Sequence, residues 1–80
     1  MWTEKDNQLS KIFTFKDFTE AFSFMTAVAF AAEKANHHPE WSNVWNRVEI
    51  HLRTHEAGNV ITDKDRKLSE KIDEIFKKYQ

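Results

Sequence analysis

The sequence predicts an α+β domain, a four-stranded antiparallel sheet with helices packed on one face in the order β-β-α-β-β-α. Three observations carry this. Apolar residues recur at helical spacing from Phe18 to Ala32, alternate with polar ones from Arg47 to Arg53, and return to helical spacing from Leu68 to Tyr79.

Residues Leu9 to Phe15 are β-branched and aromatic at partly alternating positions, as in a strand. The polar run Glu4 to Gln8 is expected to turn back onto a short strand around Trp2. Phe18, Ala21, Phe22, Met25, Val28, Ala29 and Ala32 then mark a helix of about five turns. Phe24, Ala27 and Ala31 widen its apolar arc to roughly 220°, and Phe30 lies outside even that. One sheet face cannot cover such an arc, so either the C-terminal helix or a second subunit must. His38-Pro39 is expected to close the helix, because proline disfavours αR geometry in the residue before it.

Val48, Ile50 and Leu52 alternate with Arg47, Glu49, His51 and Arg53, the period of a half-buried strand. Trp41 to Trp45 supplies its partner or the approach to it, with Trp45 read as packing. Glu56-Ala57-Gly58-Asn59 reads as a turn. Thr62 with Asp65 three residues on reads as a helix N-cap with an acid in the first turn. Leu68, Ile72, Ile75, Phe76 and Tyr79 form the apolar stripe of the last helix.

Eighty residues make a single domain, 1–80, with a modest core. A chain of this size buries only about 60% of its unfolded surface, so extra burial against a partner is plausible. No cysteine is present, which excludes disulfides and thiolate zinc sites. Seven Phe, three Trp and one Tyr carry the apolar load instead. A formal charge of −1 gives no footprint for direct nucleic-acid binding or for an anionic membrane. No apolar run approaches the roughly 20 residues of a membrane span, and the start lacks a secretory pattern, so the expected location is cytoplasmic.

Four histidines remain as candidate chemistry. His51, mid-strand on the charged parity, is expected to be a solvated side chain. If the strand runs through Thr54, His55 shares the polar parity of Arg53 at the strand's end, where it can face a cleft. His37 and His38 straddle a helix end. Glu33, four residues before His37, is expected to hydrogen-bond its imidazole and fix its tautomer. On a strand, His51 and His55 stand about 13 Å apart, too far to share a metal ion. HLRTH also lacks the glutamate of a zinc-protease HExxH. A metal site from His37, His38 and His55 is geometrically conceivable. Neutral and protonated imidazoles in one cleft suit general acid/base transfer near pH 7 better. Neither a nucleophile arrangement of Ser or Cys nor a Gly-rich phosphate loop is present.

Glu33-x3-His37-His38-Pro39, with Trp45 after five more residues, His55 after nine more and Asp65 after another nine, resembles the motif of the pterin-4a-carbinolamine dehydratases. The segments FKDFTEAFSFM, EKANHHPEW, NVWNRVEIHL and THE resemble that family too, so the likeness covers essentially the whole chain. It implies dehydration of 4a-hydroxytetrahydropterin to quinonoid dihydropterin, with no metal or other cofactor. By the resemblance His37, His38 and His55 line the active site, and His55 and one of the pair divide the acid and base roles. Glu33 would orient His37. Pro39, Thr54 and Glu56 would shape the pterin pocket, with Trp41 either a pocket wall or core. Asp65 matches the motif's final acid, with structural support of the helix preferred over contact with the pterin. The family forms dimers or tetramers, which fits the wide apolar arc. It commonly carries a helix before the segment matching Trp2, and this sequence starts almost at that point. Animal members also act as dimerisation partners of a homeodomain transcription factor, so a non-catalytic interaction module is the alternative.

Overall fold

A computed structural model describes residues 1–80. Strands β1 (Thr3–Lys5) and β2 (Gln8–Thr14) pair antiparallel, with Thr3 opposite Ser10 and Lys5 opposite Gln8. Only Asp6 and Asn7 make the turn, both left-handed at φ 55° and 60°. Short polar side chains tolerate that geometry, and its twist matches that of the flanking strands. The turn is therefore tighter than expected: Glu4 and Lys5 belong to β1, and Gln8 opens β2.

Helix α1 (Phe18–Ala35) starts where the Asp17 carboxylate accepts the Glu20 backbone N–H at 2.9 Å. It ends at Asn36, which is left-handed at φ 51°. The Asn36 N–H bonds the Glu33 carbonyl at 3.1 Å, and the His37 N–H bonds the Ala32 carbonyl at 3.0 Å. This is a Schellman stop. The helix closes before His38-Pro39 is reached, because Asn36 already reverses the backbone; the proline then holds the chain extended into the next strand.

Strands β3 (Glu40–Val44) and β4 (Arg47–Leu52) form the second hairpin, with Trp41 opposite Ile50. Its turn puts Trp45 at φ 49°, a costly conformation for a bulky residue. Trp45 is 63% exposed, so the packing role expected of it does not hold: the turn lifts its ring off the core. Asn43 Nδ2 ties the turn by donating to the Trp45 and Arg47 carbonyls.

The four strands lie in the order β1-β2-β4-β3, all neighbours antiparallel. Phe13 stands opposite Val48 and Leu9 opposite Leu52, so the apolar parities of β2 and β4 share one face. Helices α1 and α2 (Asp63–Phe76) cover that face. Ala21, Phe24 and Val28 of α1 and Leu68, Ile72 and Ile75 of α2 complete the core. Burial of Phe13, Phe24, Ile50 and Ile72 contributes about 1.5–3 kcal/mol each. Phe13, Phe15, Phe24, Phe76 and Tyr79 stack edge-on or tilted at one end of the domain.

Helix α2 covers only one flank of the wide arc on α1. Phe18, Phe22 and Phe30 remain 48%, 56% and 75% exposed. No helix is long and apolar enough to cross a membrane.

Candidate active site

The end of α1, the start of β3 and the segment after β4 come together, and the start of α2 is joined to them through the His37–Asp65 contact. There Asn36, His37, His38, Pro39, Glu40, His55 and Glu56 line a cleft of about 380 Å³. That volume lies within the range of small-molecule sites, roughly 300–1,000 Å³. No apolar side chain larger than proline lines it, so it suits a polar heterocycle.

Each of the three cleft histidines has one ring nitrogen held by an oxygen. His37 is almost wholly buried, and its Nε2 lies 2.5 Å from Asp65 Oδ1. His38 is exposed, with Nε2 2.9 Å from Glu33 Oε1. His55 is exposed, with Nδ1 2.6 Å from Asn59 Oδ1 and Nε2 3.7 Å from Glu40 Oε2. Glu33 therefore pairs with His38, not with His37 as expected. The i, i+4 geometry of the helix ends at the left-handed Asn36, and the chain beyond it swings His37 inward to α2.

His55 is also placed differently from the expectation. Strand β4 stops at Leu52, Thr54 makes an isolated bridge to Val60, and His55 opens a 3₁₀ turn, His55–Ala57. Gly58, left-handed at φ 93°, closes that turn by donating its N–H to the His55 carbonyl. Strand parity thus does not set the direction of His55; the turn and Asn59 do.

Asp65 is fully buried and serves both the helix and the cleft. Thr62 and Asp65 form the capping box of α2: the Thr62 hydroxyl accepts the Lys64 N–H, and Asp65 Oδ2 accepts the Thr62 N–H at 2.9 Å. Asp65 Oδ2 also accepts the Thr54 hydroxyl at 2.8 Å, leaving Oδ1 for His37. The structural role expected for Asp65 is present, and so is a link to the cleft. Thr54 is buried, and its hydroxyl is committed to Asp65 and Thr62, so it does not reach into the histidine cleft. Trp41 is half-buried against the core and is absent from the cleft wall.

Glu56 lies between the cleft and Lys64, whose Nζ is 3.4 Å from Glu56 Oε2. A hydrogen bond from its own backbone N–H, then the Lys64 ammonium, holds its carboxyl below the usual carboxylate range. Glu40 Oε2 accepts from Arg53 Nη2 at 3.2 Å on the other side. Two carboxylates and three imidazoles therefore surround the cleft.

His51 stands apart on the uncovered face of the sheet. It is not a free solvated side chain: Ser10 Oγ lies 2.7 Å from its Nδ1 and Glu49 Oε2 lies 2.8 Å from its Nε2. The β2–β4 register that brings Ser10 opposite His51 makes this network. Asn59, Thr62 and Glu40 were not expected among the functional residues. Asn59 follows the turn glycine and Thr62 was read as a cap, but only the folded backbone brings Asn59 to His55 and Thr62 to Thr54.

The architecture is that of the pterin dehydratase fold. A crystal structure described as a transcriptional coactivator/pterin dehydratase from Brucella melitensis superposes with a TM-score of 0.88 at 43% identity, covering 92% of this chain and 80% of that one. A pterin dehydratase-like protein described as a RuBisCO assembly factor in the alpha-carboxysome shares the fold, with a TM-score of 0.75 at 22% identity, over 94% of this chain and 86% of that one. The model of the family described as pterin 4 alpha carbinolamine dehydratase matches residues 1–75. A Prochlorococcus marinus (strain MIT 9515) relative, provisionally named pterin-4-alpha-carbinolamine dehydratase, is 51% identical over 96% of this chain and 79% of its own length. A Bradyrhizobium (strain BTAi1) relative of the same provisional name is 53% identical, over 92% of this chain and 76% of its own length. The chain belongs to the pterin-4-alpha-carbinolamine dehydratase family.

Proposed function

We propose that this protein dehydrates 4a-hydroxytetrahydropterin to quinonoid dihydropterin and water by histidine general acid/base catalysis. The observation that carries the reading is the convergence of His37, His38 and His55 on one polar cleft. In the reaction the C4a–O bond breaks as its oxygen takes a proton and leaves as water. N5 loses its proton to a base, and the N5–H electrons form the C4a=N5 bond. An acid and a base must therefore flank a flat ring, and His55 and the helix-end pair stand on different segments of the cleft. His55 and one of that pair divide the two transfers. Pro39 shapes the wall between them, and Glu56, whose carboxyl is held below the usual range first by its own backbone N–H and then by Lys64, offers an acceptor for ring N–H groups. Neither a metal nor another cofactor has a part in this scheme.

Stopped-flow loss of 4a-hydroxytetrahydropterin tests it. The wild-type protein is expected to outpace the buffer reaction, and His37→Ala, His38→Ala and His55→Ala each to lower kcat by about a hundredfold. A wild-type rate equal to that of buffer overturns the proposal.

A second copy of the chain is the proposed cover for Phe18, Phe22 and Phe30, giving a homodimer or homotetramer. The Phe18 and Phe22 rings already pack against each other at 5.8 Å, and the Thr26 hydroxyl is taken up by the Phe22 carbonyl at 3.0 Å. The same surface favours the second functional reading, a non-catalytic protein-interaction module. Absence of pterin turnover, together with a stoichiometric partner that wild type retains and a Phe22→Ser/Phe30→Ser variant loses, would favour it.

A further inference from the structure

We infer that Thr54 and Thr62 are positioning residues that set the tautomer of His37, so that the protein presents His37 Nδ1 to substrate. The kinetic part of this inference rests on the dehydratase reading; the assignment of the ring proton does not.

Hydrogen-bond directions follow from counting protons. The Thr62 hydroxyl oxygen accepts the Lys64 backbone N–H at 3.3 Å. The Thr54 hydroxyl donates to Asp65 Oδ2 at 2.8 Å. Each hydroxyl has one proton, so in the 2.6 Å contact between them Thr62 must be the donor. The chain therefore runs in one direction: Lys64 N–H to Thr62, Thr62 O–H to Thr54, Thr54 O–H to Asp65. With the Thr62 backbone N–H as well, Asp65 Oδ2 receives two donors. Oδ2 is thereby used as an acceptor, and with Oδ1 accepting as well the proton in its contact with His37 sits on Nε2.

Burial makes the arrangement consequential. Thr54, Asp65 and His37 are all shielded from water, so a lost donor is not replaced by solvent. The Thr62 backbone N–H and the Thr54 hydroxyl both hold Asp65 Oδ2, and the Thr62 hydroxyl holds that of Thr54, so together they fix the rotation of the carboxyl plane. That plane sets the direction in which the imidazole lies. His38 and His55 differ, because each is exposed and its partners lie at the surface, Glu33 for His38 and Asn59 and Glu40 for His55.

The test uses the full chain labelled with ¹⁵N in its histidines. Two-bond proton–nitrogen spectra are expected to show His37 protonated at Nε2, with that proton protected from exchange. Thr54→Val is expected to lose the protection and lower kcat about tenfold with KM changed less than about twofold, and Thr54→Ser to restore both. A wild-type His37 carrying its proton on Nδ1 alone overturns the inference without any variant, and so holds even where Thr54→Val does not fold. A folded Thr54→Val with unchanged spectra and kcat overturns it equally. If the wild-type protein turns over no pterin, the dehydratase reading fails, while the spectra still decide the tautomer.

Discussion

His37 Nε2 and Asp65 Oδ1 lie 2.5 Å apart across 28 residues of sequence, joining the end of the first helix to the start of the second. Asp65 is at once the N3 acid of the α2 capping box and the anchor of a candidate catalytic ring. Asp65→Asn keeps the shape and removes the charge, so both roles weaken together. Unfolding free energy is expected to fall by about 2–3 kcal/mol in urea denaturation. Dehydratase kcat is expected to fall as well; full activity in this variant would separate the buried pair from the chemistry.

The exposed phenylalanines of α1 make a different prediction. Phe22→Ser/Phe30→Ser removes apolar surface that the monomer does not bury. Light scattering is expected to show an oligomer for wild type and a monomer for the variant. The monomer's own stability is expected to change by no more than about 0.5 kcal/mol per site, as for surface substitutions generally. A monomeric wild type at high concentration would refute self-association through this face.

Acid sensitivity has one identifiable surface contribution. The Arg66 guanidinium, bonded to both Glu4 carboxylate oxygens at 2.9 and 3.3 Å, holds the Glu4 carboxyl below its usual 4.5. Because the folded state lowers this value, the stabilisation is present above the unfolded carboxylate range and is lost as pH falls through the folded value. Glu4→Gln is expected to flatten the acid limb of a Tm-against-pH curve and leave its neutral-to-alkaline limb parallel to wild type. Added salt is expected to reduce the difference, since the pair is open to solvent.

At the β3–β4 turn, Trp45 holds a left-handed backbone that few large residues adopt. Trp45→Asn relaxes that geometry and exposes less apolar surface. Thermal and urea unfolding are expected to report a gain of about 0.5–1 kcal/mol. A loss of stability would assign the Trp45 ring a packing role in an assembly.

The element order and most strand and helix spans were readable because each depends on a repeat within its own segment. Phe18 to Ala32 and Leu68 to Tyr79 follow the helical period, and Val48, Ile50 and Leu52 the strand period. The three cleft histidines were also readable, through their resemblance to a family motif. Their partners were not. Glu33 stands at helical spacing from His37, but Asn36 breaks the helix between them; an asparagine at a helix end was the one available signal. His51 acquires Ser10 only through the β2–β4 register, and Thr54 reaches Asp65 only because β4 stops early. These are long-range pairings, and no local period encodes them.

The Schellman stop of α1 ties order in the candidate site to helix fraying. The His37 amide that closes the last turn belongs to the same residue whose imidazole enters the buried pair. Opening that turn therefore releases the ring as well, and the two motions share one local equilibrium. The ground state of the site is only as well populated as the final turn of the helix, and hydrogen exchange at a single backbone amide, that of His37, reports on both.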